Sequence, residues 1–282
     1  MSERIQNILA RTGIEPNLRL GQHFLIDYYS LRVLANSASS NASVIEIGAG
    51  TGELTRLLAE RSKGVVAVEI DRRYRPFLEN VRQNHPNVDF IFGNALEIGV
   101  QQLISLARSK MGICRVKLVS NPPYHIVEPL ILQCIGLPID EVTMTVTKKF
   151  AREVESSKRG GRALGRFGLL TQTFFNFTVL QELGRNSFYP PPRIDSAIVK
   201  LTPRNEKDFY GDSRLFLLQR LFLSSATGIT VGRCLKDGWA SYQLLTGQNR
   251  QPKTLDLNER ILRKIFRKLN NYELCMLYQS LG

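Results

Sequence analysis

Hydrophobic residues in the first two thirds of the chain occur in short runs that alternate with amphipathic segments. Runs rich in Val and Ile and bounded by Gly, Asn or Pro predict buried strands, whereas apolar residues at helical spacing predict helices. Strands alternating with helices are typical of a parallel sheet covered on both faces, so the pattern predicts an α/β fold. The predicted strands are 43–47, 63–70, 88–92, 116–120, 141–147 and 194–201, the predicted helices are 53–61, 73–84 and 101–110, and 167–183 is predicted as a helix passing into a strand.

The pattern changes after Pro203. Residues 204–212 are polar and typical of a linker, and the spacing from there to Gly282 is helical, without a strand pattern. We therefore predict two domains, residues 1–203 with the sheet and a small all-helical domain at 204–282. An apolar stripe flanked by basic residues is predicted within the second domain: Ile261, Leu262, Ile265, Phe266 and Leu269, with Arg260, Arg263, Lys264, Arg267 and Lys268 around them.

The net charge of the chain indicates the kind of partner that it binds. The 282 residues carry a formal net charge of +13 and 43% are hydrophobic, so the chain can bury a core and still be strongly basic. Residues 147–168 hold 7 Lys and Arg against 2 Asp and Glu, and residues 204–282 hold 13 against 7. A basic surface of this kind favours a polyanionic partner, and we expect both segments to contact it.

Cysteine and histidine usage argues against a metal site. The four cysteines, Cys114, Cys134, Cys234 and Cys275, form no C-x-x-C pair, and only three His are present. Scattered cysteines with apolar neighbours are typical of reduced, packed thiols, which predicts a cytoplasmic protein. The N-terminal residues lack the apolar core of a secretory signal, and no apolar run approaches the length of a membrane span.

A glycine-rich turn follows the first predicted strand of the sheet. The run Glu46-Ile-Gly48-Ala-Gly50-Thr-Gly52 lies between a strand and a helix, where glycines let the backbone approach a ligand closely. The next strand ends at Glu69, 21 positions beyond Gly48, and an acidic residue at that spacing suits hydrogen bonds to ribose hydroxyls. We therefore predict a nucleoside-containing cofactor.

The glycine spacing indicates which cofactor. The run is G-x-G-x-G and continues into Glu53, a carboxylate poorly suited to lie beside phosphates. A ribose without phosphate fits better, and S-adenosylmethionine is the commonest such cofactor. Asn94 follows the third strand, where its side chain can meet the adenine edge. Ligands of open α/β sheets bind at the carboxyl ends of strands, so these pieces are expected on one rim.

The fourth strand runs into Val119-Ser-Asn121-Pro122-Pro123-Tyr124. An exocyclic amine on a base is a poor nucleophile because its lone pair is delocalised, and accepting both N–H hydrogens favours a pyramidal nitrogen. Asn121 offers a side-chain carbonyl, and Pro122 offers a backbone carbonyl held by the fixed φ of proline and by Pro123. Tyr124 offers a face for stacking. The loop predicts methyl transfer to an amine, with adenine, cytosine or a glutamine amide as acceptor.

Six motifs in the same order along residues 20–201 resemble one family. They are Gly21-Gln-His-Phe-Leu25, EIGAGTGELT, AVEID, GNAL, NPPY and SFYPPPRIDS. The chain resembles the KsgA-type small-subunit ribosomal RNA adenine dimethyltransferases, including their archaeal and eukaryotic relatives. The resemblance implies a Rossmann-like sheet and transfer of methyl groups from S-adenosylmethionine to two adjacent adenines near the 3′ end of small-subunit rRNA.

The resemblance also implies roles for matched residues. The cofactor is expected to contact His23, Leu25, Gly48, Gly50, Glu69, Asn94 and Asn121. Asn121 and Tyr124 are expected to hold the target base, with Pro122 beside them and Phe188 on the base's other face. Three positions depart from the family: Asn94 replaces a usual Asp, Pro122 a usual Leu, and His23 a common Asn. The basic helix motif of the family is poorly matched by residues 219–225.

Two other functions compete with this interpretation. The chain could be a ribosome-assembly or transcription factor that keeps the fold and has little activity, or it could methylate large-subunit rRNA or another amine. We expect a monomer that acts on the pre-ribosomal small subunit.

Overall fold

The structure is a computed structural model that describes residues 2–112, 115–157, 166–205, 207–208, 212–224, 228–247 and 257–281. The chain forms two compact units. One comprises Met1–Ala151 and Thr178–Thr202, and the other comprises Arg152–Phe177 and Pro203–Gly282. The second unit therefore takes in 152–177, a segment that the sequence pattern placed with the sheet, and the division into domains at 203/204 stays a prediction.

A seven-stranded sheet dominates the first unit. Its order is β4-β3-β2-β5-β6-β9-β7; the five strands from β4 to β6 are parallel, and β9 runs antiparallel to β6. Ile45 of β2 lies opposite both Val66 of β3 and Leu118 of β5. The strands are β1 (Phe24–Leu25), β2 (Ala42–Ile47), β3 (Gly64–Glu69), β4 (Val88–Phe92), β5 (Arg115–Ser120), β6 (Glu141–Thr147), β7 (Phe175–Leu183), β8 (Phe188–Tyr189) and β9 (Ser196–Pro203).

Helices cover both faces of this sheet, as the sequence pattern predicts. On one face, Val44 and Ala67 are buried with Leu57 of α3 and Leu78 of α4; burying each leucine stabilises the fold by about 1.5–3 kcal/mol. On the opposite face, α6 contacts β2 and β3. The helices before β7 are α1 (Ser2–Thr12), α2 (Tyr28–Ala35), α3 (Glu53–Ala59), α4 (Arg75–Asn84), α5 (Ala95–Ile98), α6 (Val100–Met111), α7 (Val127–Cys134), α8 (Lys148–Ser157) and α9 (Arg166–Phe174).

A two-stranded ribbon lies outside the main sheet. The antiparallel strands β1 and β8 place Phe24 opposite Tyr189 and Leu25 opposite Phe188. The ribbon joins the segment that precedes the first sheet strand to the proline-rich turn after β7. Each strand has only two residues, so neither leaves a periodic signal in the sequence.

The second unit is helical. Leu169 of α9 is buried in the same cluster as Phe216 and Leu218, which explains why this helix groups with the C-terminal residues. The remaining helices are α10 (Ser213–Ser224), α11 (Val231–Thr246), α12 (Glu259–Leu262) and α13 (Asn271–Ser280). Across the described ranges, no helix is long and apolar enough to cross a membrane.

The predicted apolar stripe at 261–269 is not one continuous helix, and that prediction was wrong. Helix α12 ends at Leu262, Ile265 is extended and bridges to Thr230, and Phe266–Lys268 form a 3₁₀ turn. The extended backbone lets Val231 N–H bond the Lys264 carbonyl at 2.8 Å, a contact between distant segments that local spacing cannot reveal. Three apolar members of the stripe are nevertheless buried in the core of this unit, namely Ile261, Phe266 and Leu269.

Candidate active site

A cleft of about 320 Å³ opens at the carboxyl ends of the parallel strands. This is the edge at which open α/β sheets bind ligands, and the size suits a nucleoside-sized molecule. Its walls come from the turns after β2, β3, β4 and β5 and from residues 20–24. Six predicted site residues line it: His23, Gly48, Gly50, Glu69, Asn94 and Asn121.

The glycine turn forms one wall of the cleft because no side chain fills it. Gly48 and Gly50 have φ of +79° and +54°, a left-handed conformation that favours glycine. A Cβ on Gly50 would lie 2.8 Å from Cε1 of Phe24, well inside contact distance. The turn is therefore a cradle that a single methyl group would obstruct.

Glu69 is held at the end of β3 by backbone donors. Its Oε2 accepts the Gly50 N–H at 2.7 Å and its Oε1 accepts the Asp71 N–H at 2.8 Å. Burial raises the pKa of this carboxyl, and the two backbone hydrogen bonds oppose the rise. The carboxylate thus fixes the glycine turn and lines the cleft with acceptor oxygens, as a ribose-binding residue requires.

A second carboxyl lies beneath the first. Glu46 of β2 is on the same face of the sheet as Glu69, and it is fully buried. Desolvation, followed by repulsion from Glu69, raises the pKa of Glu46 to about 8, although the Thr55 hydroxyl lowers it. Its Oε2 has no hydrogen-bond partner. Glu46 belongs to the glycine motif but had no predicted role, although an acidic residue within a fully buried strand indicates an unusual environment.

A polar network fastens residues 17–25, which we call the strap, beside the cleft. Gln22 donates to Asp71 at 2.9 Å and accepts from the Asn17 N–H and the Tyr74 hydroxyl. The Arg73 guanidinium holds the pKa of Asp71 below its usual range, and the Gln22 bond adds to this effect. The strap is therefore tied to the residues that follow Glu69.

Asn121 is bound on both sides of its amide. Its Nδ2 donates to the His23 carbonyl at 3.0 Å, and its Oδ1 accepts the Thr145 hydroxyl at 2.6 Å. The His23 ring lies 2.7 Å from the Pro190 carbonyl. The amide that we predict to hold the substrate amine is thus fixed at the wall of the cleft, between the strap and β6.

Four predicted residues do not line the cleft. Pro122 is buried, and the Tyr124 hydroxyl bonds Ser196 while burial raises the pKa of the phenol. Leu25 is buried, and Phe188, which is 2% exposed, packs in the core of the first unit. The predicted contact of Leu25 with cofactor and that of Phe188 with a base stay predictions.

Asn94 uses its side chain locally. Its Oδ1 accepts the Leu96 N–H at 3.1 Å and caps α5, and its Nδ2 donates to Glu97 at 2.9 Å. The Asn-x-x-Glu spacing is a helix-start signal that the sequence analysis passed over. One Oδ1 lone pair remains for an adenine amine.

The polar groups of the cleft suit a nucleoside. Its acceptors are carboxylate and amide oxygens beside an open glycine turn, and its apolar walls suit a base. In the part of the chain that the structure describes, no group of three or more His, Cys, Asp or Glu could hold a metal.

Solved structures share this fold. The structure of a 23S rRNA methyltransferase, ErmE, superposes with a TM-score of 0.58 at 22% identity, over 92% of this chain and 99% of the other. A dimethyladenosine transferase from Plasmodium falciparum superposes with a TM-score of 0.56 at 21% identity, over 92% and 96%. The protein therefore shares the Rossmann-like α/β fold of these two structures, which confirms the predicted fold class.

Sequence relatives narrow the class to a family. Residues 14–228 match the ribosomal RNA adenine dimethylase family. A probable ribosomal RNA small subunit methyltransferase A from Pyrococcus abyssi is 31% identical over 231 residues, 80% of this chain and 81% of the relative. The small subunit methyltransferase A from Pelotomaculum thermopropionicum is 32% identical over 278 residues, 90% and 92%. The chain belongs to the ribosomal RNA adenine dimethylase family, as its motifs predicted.

Proposed function

We propose that this protein transfers methyl groups from S-adenosylmethionine to the N6 amines of two adjacent adenines near the 3′ end of small-subunit rRNA. Relatives that match most of the chain are named as small subunit methyltransferases. The observation that carries the proposal is the Asn121 amide, bound on two sides at the wall of a nucleoside-sized cleft.

The cleft residues suit the cofactor in distinct ways. Glu69 presents carboxylate oxygens for ribose hydroxyls, Asn94 an amide oxygen for the adenine amine, and Gly48 and Gly50 an open turn. Bound there, S-adenosylmethionine would supply a methyl group on a positively charged sulfur, whose departure as a neutral sulfide drives the transfer.

Asn121 and Pro122 would activate the substrate amine. The side-chain carbonyl of one and the backbone carbonyl of the other accept its two hydrogens, so that the nitrogen lone pair points at the methyl carbon. With the methyl donor bound, the C–N bond would form as the C–S bond breaks, and the cationic nitrogen would then lose a proton to water. Each adenine takes two methyl groups, so the dimethylated base can no longer donate to these carbonyls.

Basic segments would hold the RNA backbone. In the second unit, Arg260, Arg267 and Lys268 are exposed. Arg263 is also exposed and pairs with Glu259 at 2.8 Å, and Lys264 pairs with Glu273 at 2.6 Å. The other predicted RNA segment, 147–168, has its centre at 158–165, outside the described residues. Phosphate contacts of this kind predict binding that weakens as salt rises.

We also place the protein in the cytoplasm as a monomer. Cys134 is a buried free thiol, which suits a reducing compartment.

The test is methyl transfer from radiolabelled S-adenosylmethionine to immature small subunits, with the product mapped. Label on two neighbouring adenines near the 3′ end supports the proposal, whereas label in large-subunit RNA would instead assign the protein to methylation of large-subunit rRNA. RNA binding without transfer would favour an assembly or transcription factor. Asn121→Ala is the matched control, because it removes the amide and is expected to abolish transfer while RNA binding persists.

A further inference from the structure

The orientation of the Asn121 amide follows from its neighbours. The His23 carbonyl can only accept a hydrogen bond, so the group 3.0 Å from it must be the amide nitrogen. The oxygen therefore faces Thr145, whose hydroxyl must donate across the 2.6 Å contact. The terminal torsion of an asparagine is broad, and these two bonds define its angle here.

The sheet brings Thr145 to this position. Strands β5 and β6 are parallel, with Ser120 opposite Met144, so the next residues along each strand, Asn121 and Thr145, also lie side by side. Thr145 is 0% exposed, and it reaches the cleft only through Asn121. A hydroxyl buried this completely is costly to desolvate unless it is bonded, and the Asn121 amide is its acceptor.

The neighbouring threonines of β6 have other tasks. Thr143 bonds Ser37 and Glu141 at the far end of the strand, and Thr147 accepts the Phe150 N–H at the start of α8. Because side chains alternate between the two faces of a strand, the hydroxyls of Thr143, Thr145 and Thr147 all lie on one face of β6. Of these three threonine hydroxyls, the one of Thr145 donates to a predicted catalytic side chain, that of Asn121.

We propose that Thr145 is a positioning residue for methyl transfer, an inference that rests on the proposed function. Its hydroxyl occupies one lone pair of the Asn121 Oδ1 and leaves the second pointing in a fixed direction for one hydrogen of the substrate amine. Without the hydroxyl, the amide is held at its nitrogen alone and its oxygen rotates away from that direction. Thr145 touches neither substrate nor cofactor in this role.

Two substitutions at Thr145 distinguish the effect of its hydrogen bond from the effect of its side-chain volume. Thr145→Val keeps the volume and removes the donor, whereas Thr145→Ser keeps the donor and removes a methyl group. In single turnovers at saturating cofactor and small subunits, we expect the Val variant to lose about tenfold in rate and the Ser variant to stay within about threefold of wild type. Melting temperatures of all three proteins are measured in parallel.

The two readouts distinguish positioning from structural support. A structural role would make rate follow melting temperature, whereas a positioning role makes rate follow the hydroxyl whichever variant is less stable. Equal rates for wild type and the Val variant, or a Ser variant as slow as the Val variant, would overturn the inference.

A measurement without catalysis keeps the inference testable if the proposed function fails. The side-chain amide signal of Asn121 is identified by its absence from an Asn121→Ala sample, and its hydrogen exchange is followed by NMR. Faster exchange in the Val variant, by about tenfold, with the Ser variant like wild type, supports Thr145 as the residue that orients the amide. Unchanged exchange in the Val variant would refute it even if wild type methylates no RNA.

Discussion

Replacing Glu69 with Gln tests the carboxylate at the centre of the cleft. Both oxygens of Glu69 accept backbone hydrogens, from Gly50 at 2.7 Å and from Asp71 at 2.8 Å. An amide has one oxygen, so in either orientation its NH₂ group faces one of these N–H donors. No rotation of the Gln side chain restores both bonds, and the glycine turn must shift or the amide must leave the cleft.

The expected loss is that of one hydrogen bond to a charged group, about 2 kcal/mol. This corresponds to about 30-fold weaker cofactor binding. Calorimetric titration measures this loss of affinity. The variant is expected to bind S-adenosylmethionine and S-adenosylhomocysteine more weakly by the same factor, because both ligands contain the ribose. Burial raises the pKa of Glu69, so wild-type affinity is expected to fall as pH drops through that raised pKa. The Gln variant, which cannot titrate there, is expected to lack this fall.

Glu97→Gln is the matched control on the same rim. Glu97 is exposed and uses one oxygen, which accepts from Asn94 at 2.9 Å, so its amide can rotate to keep that bond. Its affinity is expected within about twofold of wild type. A Glu69→Gln variant that binds cofactor within threefold of wild type would refute the assignment of Glu69 to the cofactor site.

Three further predictions follow from the same cleft. Glu46→Gln removes a buried carboxyl whose folded pKa of about 8 exceeds its ordinary 4.5. Because the folded state keeps the proton longer, wild-type stability is lost as pH rises between those values. The variant is therefore expected to gain on wild type in urea unfolding, by roughly 4 kcal/mol at pH 8 relative to acidic pH, and an equal pH dependence of stability for both proteins would contradict this. Asn94→Asp restores a charged acceptor for an adenine amine and is expected to tighten S-adenosylmethionine by about tenfold in calorimetry, whereas weaker binding would remove residue 94 from the base contact. Gly50→Ala places a Cβ against Phe24 and is expected to abolish cofactor binding. The control Gly13→Ala, at a similar φ in open space, carries only the conformational cost of about 1–2 kcal/mol. A Gly50→Ala protein that still binds cofactor would count against the role of the glycine turn as a cradle.

The strands were predictable because buried parallel strands leave continuous apolar runs. Residues 88–92 and 141–147 match β4 and β6 residue for residue. Helices α2 and α7 were missed because each is short, and because α7 carries a proline near its start while α2 begins with two tyrosines. The β1–β8 ribbon depends on residues far apart in the chain, and a two-residue strand has no period to detect.

The site, like the fold, was predictable from the sequence only in part. Glycine spacing and a strand-end acid locate Gly50 and Glu69 from the sequence alone, because backbone geometry demands those residue types. The partners of Asn121 could not be inferred, since His23 and Thr145 reach it only after the sheet has assembled. The burial of Phe188 depends equally on tertiary packing.

The strap has a consequence for biosynthesis. His23 emerges early from the ribosome, yet its carbonyl bonds a residue 98 positions later and its ring meets a carbonyl 167 positions later. Contacts this distant in sequence form late, because the intervening chain must first be made and ordered. The strap therefore cannot make all of its contacts until Pro190 has been synthesised, so a chain that ends before this residue lacks the partner of the His23 ring.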